Sequence, residues 1–109
     1  MHAFDVLADP VRRRTLELIA KRERTSGEIV DVIEIEFGIT QSAVSQHLRV
    51  LRESGFASVR HSGTKRNYSI NSDAFFEIDA WLNGLKRYWS PRLEALATEV
   101  ERGQRRKPE

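Results

Sequence analysis

The stretch from Thr40 to Ser54, Thr-Gln-Ser-Ala-Val-Ser-Gln-His-Leu-Arg-Val-Leu-Arg-Glu-Ser, limits what the rest of the chain can build. Val44, Leu48 and Leu51 recur at i, i+4 and i+7, which places them on one face of an α-helix. Thr40 suits an N-cap and Gly55 a C′ stop, so both ends are punctuated. The opposite face carries Gln41, Ser42, Ser45, Gln46, Arg49 and Arg52, with no acid before Glu53. Surface helices are ordinarily filled with Glu, Lys and Ala. Short amides and hydroxyls instead match base edges in a major groove, where an acid would meet phosphate repulsion. The plain alternative is a polar surface helix. The flanking segments decide between the two.

Before this helix, Thr25-Ser-Gly-Glu28 reads as a capping box that opens a helix with Ile29, Val32, Ile33 and Phe37 inward. Glu28, Asp31, Glu34 and Glu36 make that helix acidic, so it should not lie along DNA. Gly38-Ile39-Thr40 forms a tight turn, with Ile39 plugging the corner, and the layout is helix-turn-helix. After Gly55 the period changes to two. Ala57–His61 and Arg66–Ile70 alternate around Ser62-Gly63-Thr64-Lys65, which predicts a β-hairpin with a basic tip. A lone hairpin is marginal, so Val59, Tyr68 and Ile70 should pack on the helices. Beside a helix-turn-helix it is a wing.

Charge supports a polyanionic partner. The chain carries +2 overall, but residues 39–70 hold Arg49, Arg52, Arg60, Lys65 and Arg66 against Glu53 alone. That is a surplus of four, so the other 77 residues carry a net −2. A basic segment on a near-neutral body is the footprint of nucleic acid, although a solvated basic face would look similar. Thr40, Arg49, Arg60, Lys65 and Arg66 are the candidate phosphate contacts.

Two further segments complete the pattern. Phe4 and Leu7 lie a turn apart, and Asp9-Pro10 reads as N-cap plus Pro at N1, starting a helix through Val11, Leu16, Ile19 and Ala20. Arg12, Arg13 and Arg14 fall in its first turn, where the dipole disfavours cations, and are read mainly as solvated, with phosphate or an acidic neighbour as the alternatives. From about Ser72 to Glu101 one helical stripe carries Ile78, Trp81, Leu82, Leu85, Trp89, Leu93, Leu96 and Val100. Roughly 28 residues span about 42 Å, against a radius of gyration near 13 Å for a domain of this size. Such a helix outreaches its own domain. A homodimer interface is therefore expected on Trp81, Leu85, Tyr88, Trp89, Leu93 and Leu96, with Phe4 and Leu7 alongside. An intramolecular core stripe is the alternative. Pro91 could kink this helix or start a second one. The expected organisation is a single domain over 1–101 and a disordered basic tail over 102–109.

At this point the residues resemble the ArsR/SmtB family of small bacterial winged-helix repressors. The resemblance rests on Leu7-Ala-Asp-Pro-Val-Arg-Arg-Arg14, Thr40-Gln-Ser-Ala-Val-Ser-Gln-His-Leu48, Leu51-Arg-Glu-Ser-Gly55 and the wing end Arg66-Asn-Tyr-Ser-Ile70, and covers roughly residues 4–100. It implies a mainly α fold with a small β-hairpin, α1-α2-α3-α4-β-β-α5, dimerised through a long C-terminal helix on a palindromic double-stranded DNA operator. It places base contacts on Gln41, Ser42, Ser45 and Gln46. Many members sense metals through a Cys pair before the turn; here Glu28-Ile-Val-Asp-Val32 has valines at about those positions. Others use Asp and His on the last helix, and residues 72–101 hold no His. No metal site or cofactor is expected, and no inducer follows from these residues. The segment Asp31–Phe37 is also about four residues longer than the commoner pattern, one extra helical turn.

Other functions fit less well. His2, His47 and His61 share no ligand spacing, and the glycines form no phosphate loop. The acids Asp73, Glu77 and Asp79 have no partner that suggests chemistry, so no catalytic residue is assigned. With no cysteine, disulfides and thiolate sites are excluded. No apolar run reaches the ~18 residues of a membrane span, and the early acid in Met-His-Ala-Phe-Asp argues against a signal peptide. A cytoplasmic, metal-independent repressor is the expectation, with autoregulation at its own promoter the first case to examine. The alternative is a winged-helix protein- or RNA-interaction module without sequence-specific DNA readout.

Overall fold

The computed structural model of the chain describes residues 2–105, apart from the side chains of Leu93, Gln104 and Arg105. Two units result, one ending at Glu77 and one beginning at Ile78. In chain order the elements are α1 (Ala3–Ala8), α2 (Pro10–Lys21), β1 (Arg24–Thr25), α3 (Ser26–Phe37), α4 (Gln41–Glu53), β2 (Ala57–Ser62), β3 (Lys65–Ile70), a 3₁₀ turn (Ser72–Phe75) and α5 (Phe76–Arg105). This is a winged helix-turn-helix in the expected order of helices.

In the first unit the caps do what the sequence requires of them. Asp9 accepts from the Val11 and Arg12 amides at 2.8 and 3.1 Å, with Pro10 at the start of α2. Burial raises the Asp9 carboxyl, but the Arg12 amide, the His47 ring, the Val11 amide and the Arg12 guanidinium together outweigh it and hold it below its ordinary value. A carboxyl lowered in the folded state adds stability at neutral pH that is lost as pH falls through its folded value. Asp9→Ala should therefore cost about 1 kcal/mol at pH 7. Urea melts should show that difference shrinking below about pH 3. An equal difference at both pH values would contradict the cap.

Thr25 Oγ1 accepts from the Glu28 amide at 3.2 Å, and Thr40 Oγ1 accepts from the Ala43 amide at 3.1 Å. Gly38 closes α3 with φ +64°, and Gly55 takes φ +82° beyond α4. At that second stop the Phe56 amide donates to Leu51 O and the Gly55 amide to Arg52 O, the paired bonds of a Schellman motif. Phe56 and Leu51, the positions at which that motif carries its hydrophobic contact, are both buried. The core gathers Val6, Leu16, Ile19, Ile29, Ile33, Val44, Leu48, Leu51, Phe56 and Tyr68.

Several expectations need correction. The sheet has three strands in the order β1-β3-β2, because Arg24 and Thr25 pair with Tyr68 and Asn67. The hairpin turn is only Gly63-Thr64, with Ser62 opposite Lys65. Positive φ at Gly63 alone fits a II′ turn, which matches the strand twist. Phe37 and Ala20 are exposed rather than inward: each lies near its helix end, beyond what the other helices cover. Thr15 is buried instead, its hydroxyl satisfied by Val11 O at 2.9 Å. In the wing, Val59 and Ile70 are half-buried while Tyr68 and Ala57 are buried.

The arginines of α2 are not left to solvent. Arg12 donates to Val6 O and Asp5 O, and Arg13 to Leu7 O, so both close the C-terminal carbonyls of α1. Those carbonyls lack helical partners, and the negative end of a helix attracts cations. Arg14 meets both carboxylate oxygens of Glu36 at 2.8 and 3.0 Å, tying α2 to α3. Its hydrogen bond to Arg14 holds the Glu36 carboxyl low.

The second unit is the remainder of α5. The helix is continuous through Pro91, so no second helix starts there, and it extends to Arg105. Residues 106–109, the rest of the expected tail, lie outside those described. Among its described side chains none is buried. No helix of the described residues is long and apolar enough to cross a membrane.

Candidate nucleic-acid interface

Helix α4 separates its faces as its spacing dictates. Val44, Leu48 and Leu51 are buried, which leaves Gln41, Ser42, Ser45, Gln46, Arg49 and Arg52 exposed. Gln41 through Gln46 occupy the first two turns, where a recognition helix presents its base readers. No side-chain hydrogen bond ties up these four among the described residues, so their donors and acceptors are available. Thr40 is exposed, and its oxygen already serves the Ala43 amide.

The wing and α4 enclose a cleft of ≈ 330 Å³, lined by Ser45, Arg49 and Arg52 from the helix, Thr64 and Arg66 from the hairpin, and Ser26 from α3. Three arginines line it, a composition suited to phosphate oxygens. A second cleft joins Ser26, Gly27, Val30, Asp31 and Glu34 of α3 to Gln41 and Ser45 of α4. Ser45 and Ser26 therefore stand at the junction of a cationic and an acidic side. Ser26 and Thr64 were not singled out in the sequence. The signal for Ser26 was its place just after the N-cap of the helix that precedes the turn.

The five phosphate candidates are not equivalent. Arg49 is paired with Glu53 at 2.9 Å and Arg60 with Glu23 at 2.7 Å, all on exposed side chains. The hydrogen bond that Arg49 donates to Glu53 raises the guanidinium and lowers the carboxyl. Such exposed pairs are weak and screened by salt, so a phosphate can replace the acid. Lys65 and Arg66 are exposed and make no ion pair among the described residues. Among the described residues, no group of three or more His, Cys, Asp or Glu side chains is arranged to hold a metal ion.

The dimer candidates divide between the units. In the first, Phe4 is 38% exposed and Leu7 half-buried. In the second, Trp81, Tyr88, Trp89 and Leu96 are 51–78% exposed and Leu85 is half-buried. The side chain of Leu93 lies outside those described.

A three-helix core with a helix-turn-helix, a hairpin wing and a polar helix face beside an arginine-lined cleft defines a winged helix-turn-helix protein. Residues 9–59 match the family described as bacterial regulatory protein, arsR family. The chain belongs to the ArsR family. It is 43% identical over 67 residues to a probable mercury resistance operon repressor of Streptomyces lividans, covering 62% of this chain and 50% of that one. A crystal structure of Mycobacterium tuberculosis Rv0081 superposes with a TM-score of 0.60 at 34% identity, covering 84% of this chain and 89% of that one. A possible transcriptional regulator for arsenical resistance superposes at 0.66 with 29% identity, covering 91% and 96%. The chain spans about half to 63% of the length of the first curated relatives it matches.

Proposed function

We propose that the chain is a dimeric, sequence-specific DNA-binding repressor that acts without a bound metal. The observation that carries this reading is the exposed face Gln41, Ser42, Ser45 and Gln46, free of acid and set beside the Arg49–Arg52–Arg66 cleft. Amides and hydroxyls in the major groove read bases, and the guanidiniums grip the flanking phosphates. Asp31 and Glu34 on the other side of α4 repel phosphate, which steers the backbone toward the wing. The relatives named as repressors support the same assignment. The sequence contains no cysteine, so it has no thiolate with which to sense a soft metal.

Two recognition helices about one DNA turn apart require a twofold pair of chains and a palindromic operator. The apolar side chains on α5 supply the surface for that pairing, with Trp89 as a central aromatic anchor. Trp89→Ala should weaken the dimer by about 2 kcal/mol, roughly 30-fold in dissociation constant. Sedimentation equilibrium measures this directly. A wild type that is monomeric at micromolar concentration would overturn the dimer.

The wing carries the sequence-independent share of binding. Lys65→Ala and Arg66→Ala should weaken all DNA sequences alike and lower the slope of log K against log salt by about one each. Fluorescence anisotropy over a salt series tests this. Unchanged slopes would remove the wing from the interface. The promoter upstream of the protein's own gene is the natural first operator to examine.

A further inference from the structure

We infer that His47 is a positioning residue through which the α1–α2 junction sets the recognition helix, and that its proton weakens specific DNA binding. His47 lies on α4 but points away from the base-reading face and is only 20% exposed. Its Nδ1 sits 3.5 Å from an Arg12 terminal nitrogen and 3.9 Å from Asp9 Oδ1. Arg12 and Asp9 are the charged groups recorded against the ring, both from the start of α2. The same two residues hold the junction together. Arg12 closes the α1 carbonyls of Val6 and Asp5, and Asp9 caps the Val11 and Arg12 amides.

The ring is thus poised between a donor and an acceptor. Neutral, with its proton on Nε2, it accepts from Arg12 at Nδ1 and leaves both caps intact. Protonated, Nδ1–H can only donate. It loses the bond from Arg12, and its charge repels the Arg12 guanidinium from the α1 carbonyls, while Asp9 has lone pairs to spare and keeps the α2 amides. The shift of Arg12 moves the anchor of α4 by a fraction of an ångström, enough to misplace short side chains that must meet base edges. Added positive charge strengthens binding to all DNA alike, so the effect falls on the ratio of specific to non-specific affinity.

The effect on DNA rests on the repressor reading, so the test has one arm with DNA and one without. In the first, affinities for an operator and for scrambled DNA are compared across a pH series from about 5.5 to 7.5. The wild-type ratio should fall about tenfold at the lower pH, a coupling of ordinary size. His47→Asn keeps a neutral acceptor near the Nδ1 position and should preserve the ratio while abolishing its pH dependence. His47→Leu should lower the ratio at pH 7.5 with its circular dichroism unchanged, and His61→Asn should behave as wild type. In the second arm, NMR follows the free protein. The amides of Val6–Ala8 should titrate together with the His47 ring in the wild type and stay fixed in His47→Asn. A pH-dependent ratio that survives in His47→Asn overturns the inference, as do α1 amides indifferent to the ring. If no DNA is preferred at any pH but the amides still track the ring, the junction stands and the repressor reading falls.

Discussion

Phe56→Ala should destabilise the first unit by 3–5 kcal/mol, the usual cost of removing a fully enclosed aromatic ring (about that range in core series). The ring is 1% exposed and meets Phe75 edge-on at a centroid distance of 4.9 Å. Its backbone is equally committed: its amide closes α4 on Leu51 O, and its carbonyl accepts from the Asn71 amide at 2.9 Å. Those bonds survive the substitution, so the loss reports the side chain alone. Marginal domains hold about 5–15 kcal/mol in total, so the variant should be partly unfolded near 37 °C. Urea denaturation followed by circular dichroism measures the change. A loss below about 1 kcal/mol would mean that the helix-to-wing corner relaxes around the cavity.

The second large effect is on DNA. Gln41→Ala and Ser45→Ala should each cost about 1–3 kcal/mol of operator binding and relax preference at one base position. Both side chains are exposed, so stability should hold while affinity falls. Competition against operators substituted one base at a time reads the result. If these variants lost affinity for every sequence equally, as Lys65→Ala and Arg66→Ala should, the division into base readers and phosphate anchors would be wrong.

The parts legible from the sequence were those fixed by local chemistry. The period of Val44, Leu48 and Leu51, the Thr40 cap and the Gly55 stop are each set within a few residues, and α4 forms as they dictate. The same holds for the Asp9-Pro10 start of α2 and the switch to period two after Gly55. The rest depends on partners distant in sequence. Two-residue β1 is too short to show alternation and exists only because β3 lies beside it. Arg12 and Arg13 find their role only once α1 ends beside them, where the dipole rule for their own helix points the other way. Phe56 sits between a helical and an alternating stretch, so neither period marks it as core.

The candidate interface divides in the same manner. Its polar face could be read from the residues of one helix. Its electrostatics could be read only in part: Arg49 and Glu53 are an i,i+4 pair within α4, but Arg60 meets Glu23 across 37 positions of sequence. The cleft that gathers Ser26, Arg52 and Arg66 from three elements could not be read at all. Consequently, of the four cationic phosphate candidates, Lys65 and Arg66 at the wing can grip a phosphate without first releasing an acid, whereas Arg49 and Arg60 cannot.

The most direct measurement of the central claim is binding to DNA from upstream of the protein's own gene against scrambled DNA across a salt series, with stoichiometry determined at saturation. The account predicts a preference of about 10³-fold or more at two chains per site. Equal and steeply salt-dependent affinity for both DNAs would contradict specific readout by α4 at that promoter while leaving the basic wing in place. No binding at low salt would contradict the repressor and favour a protein-interaction module.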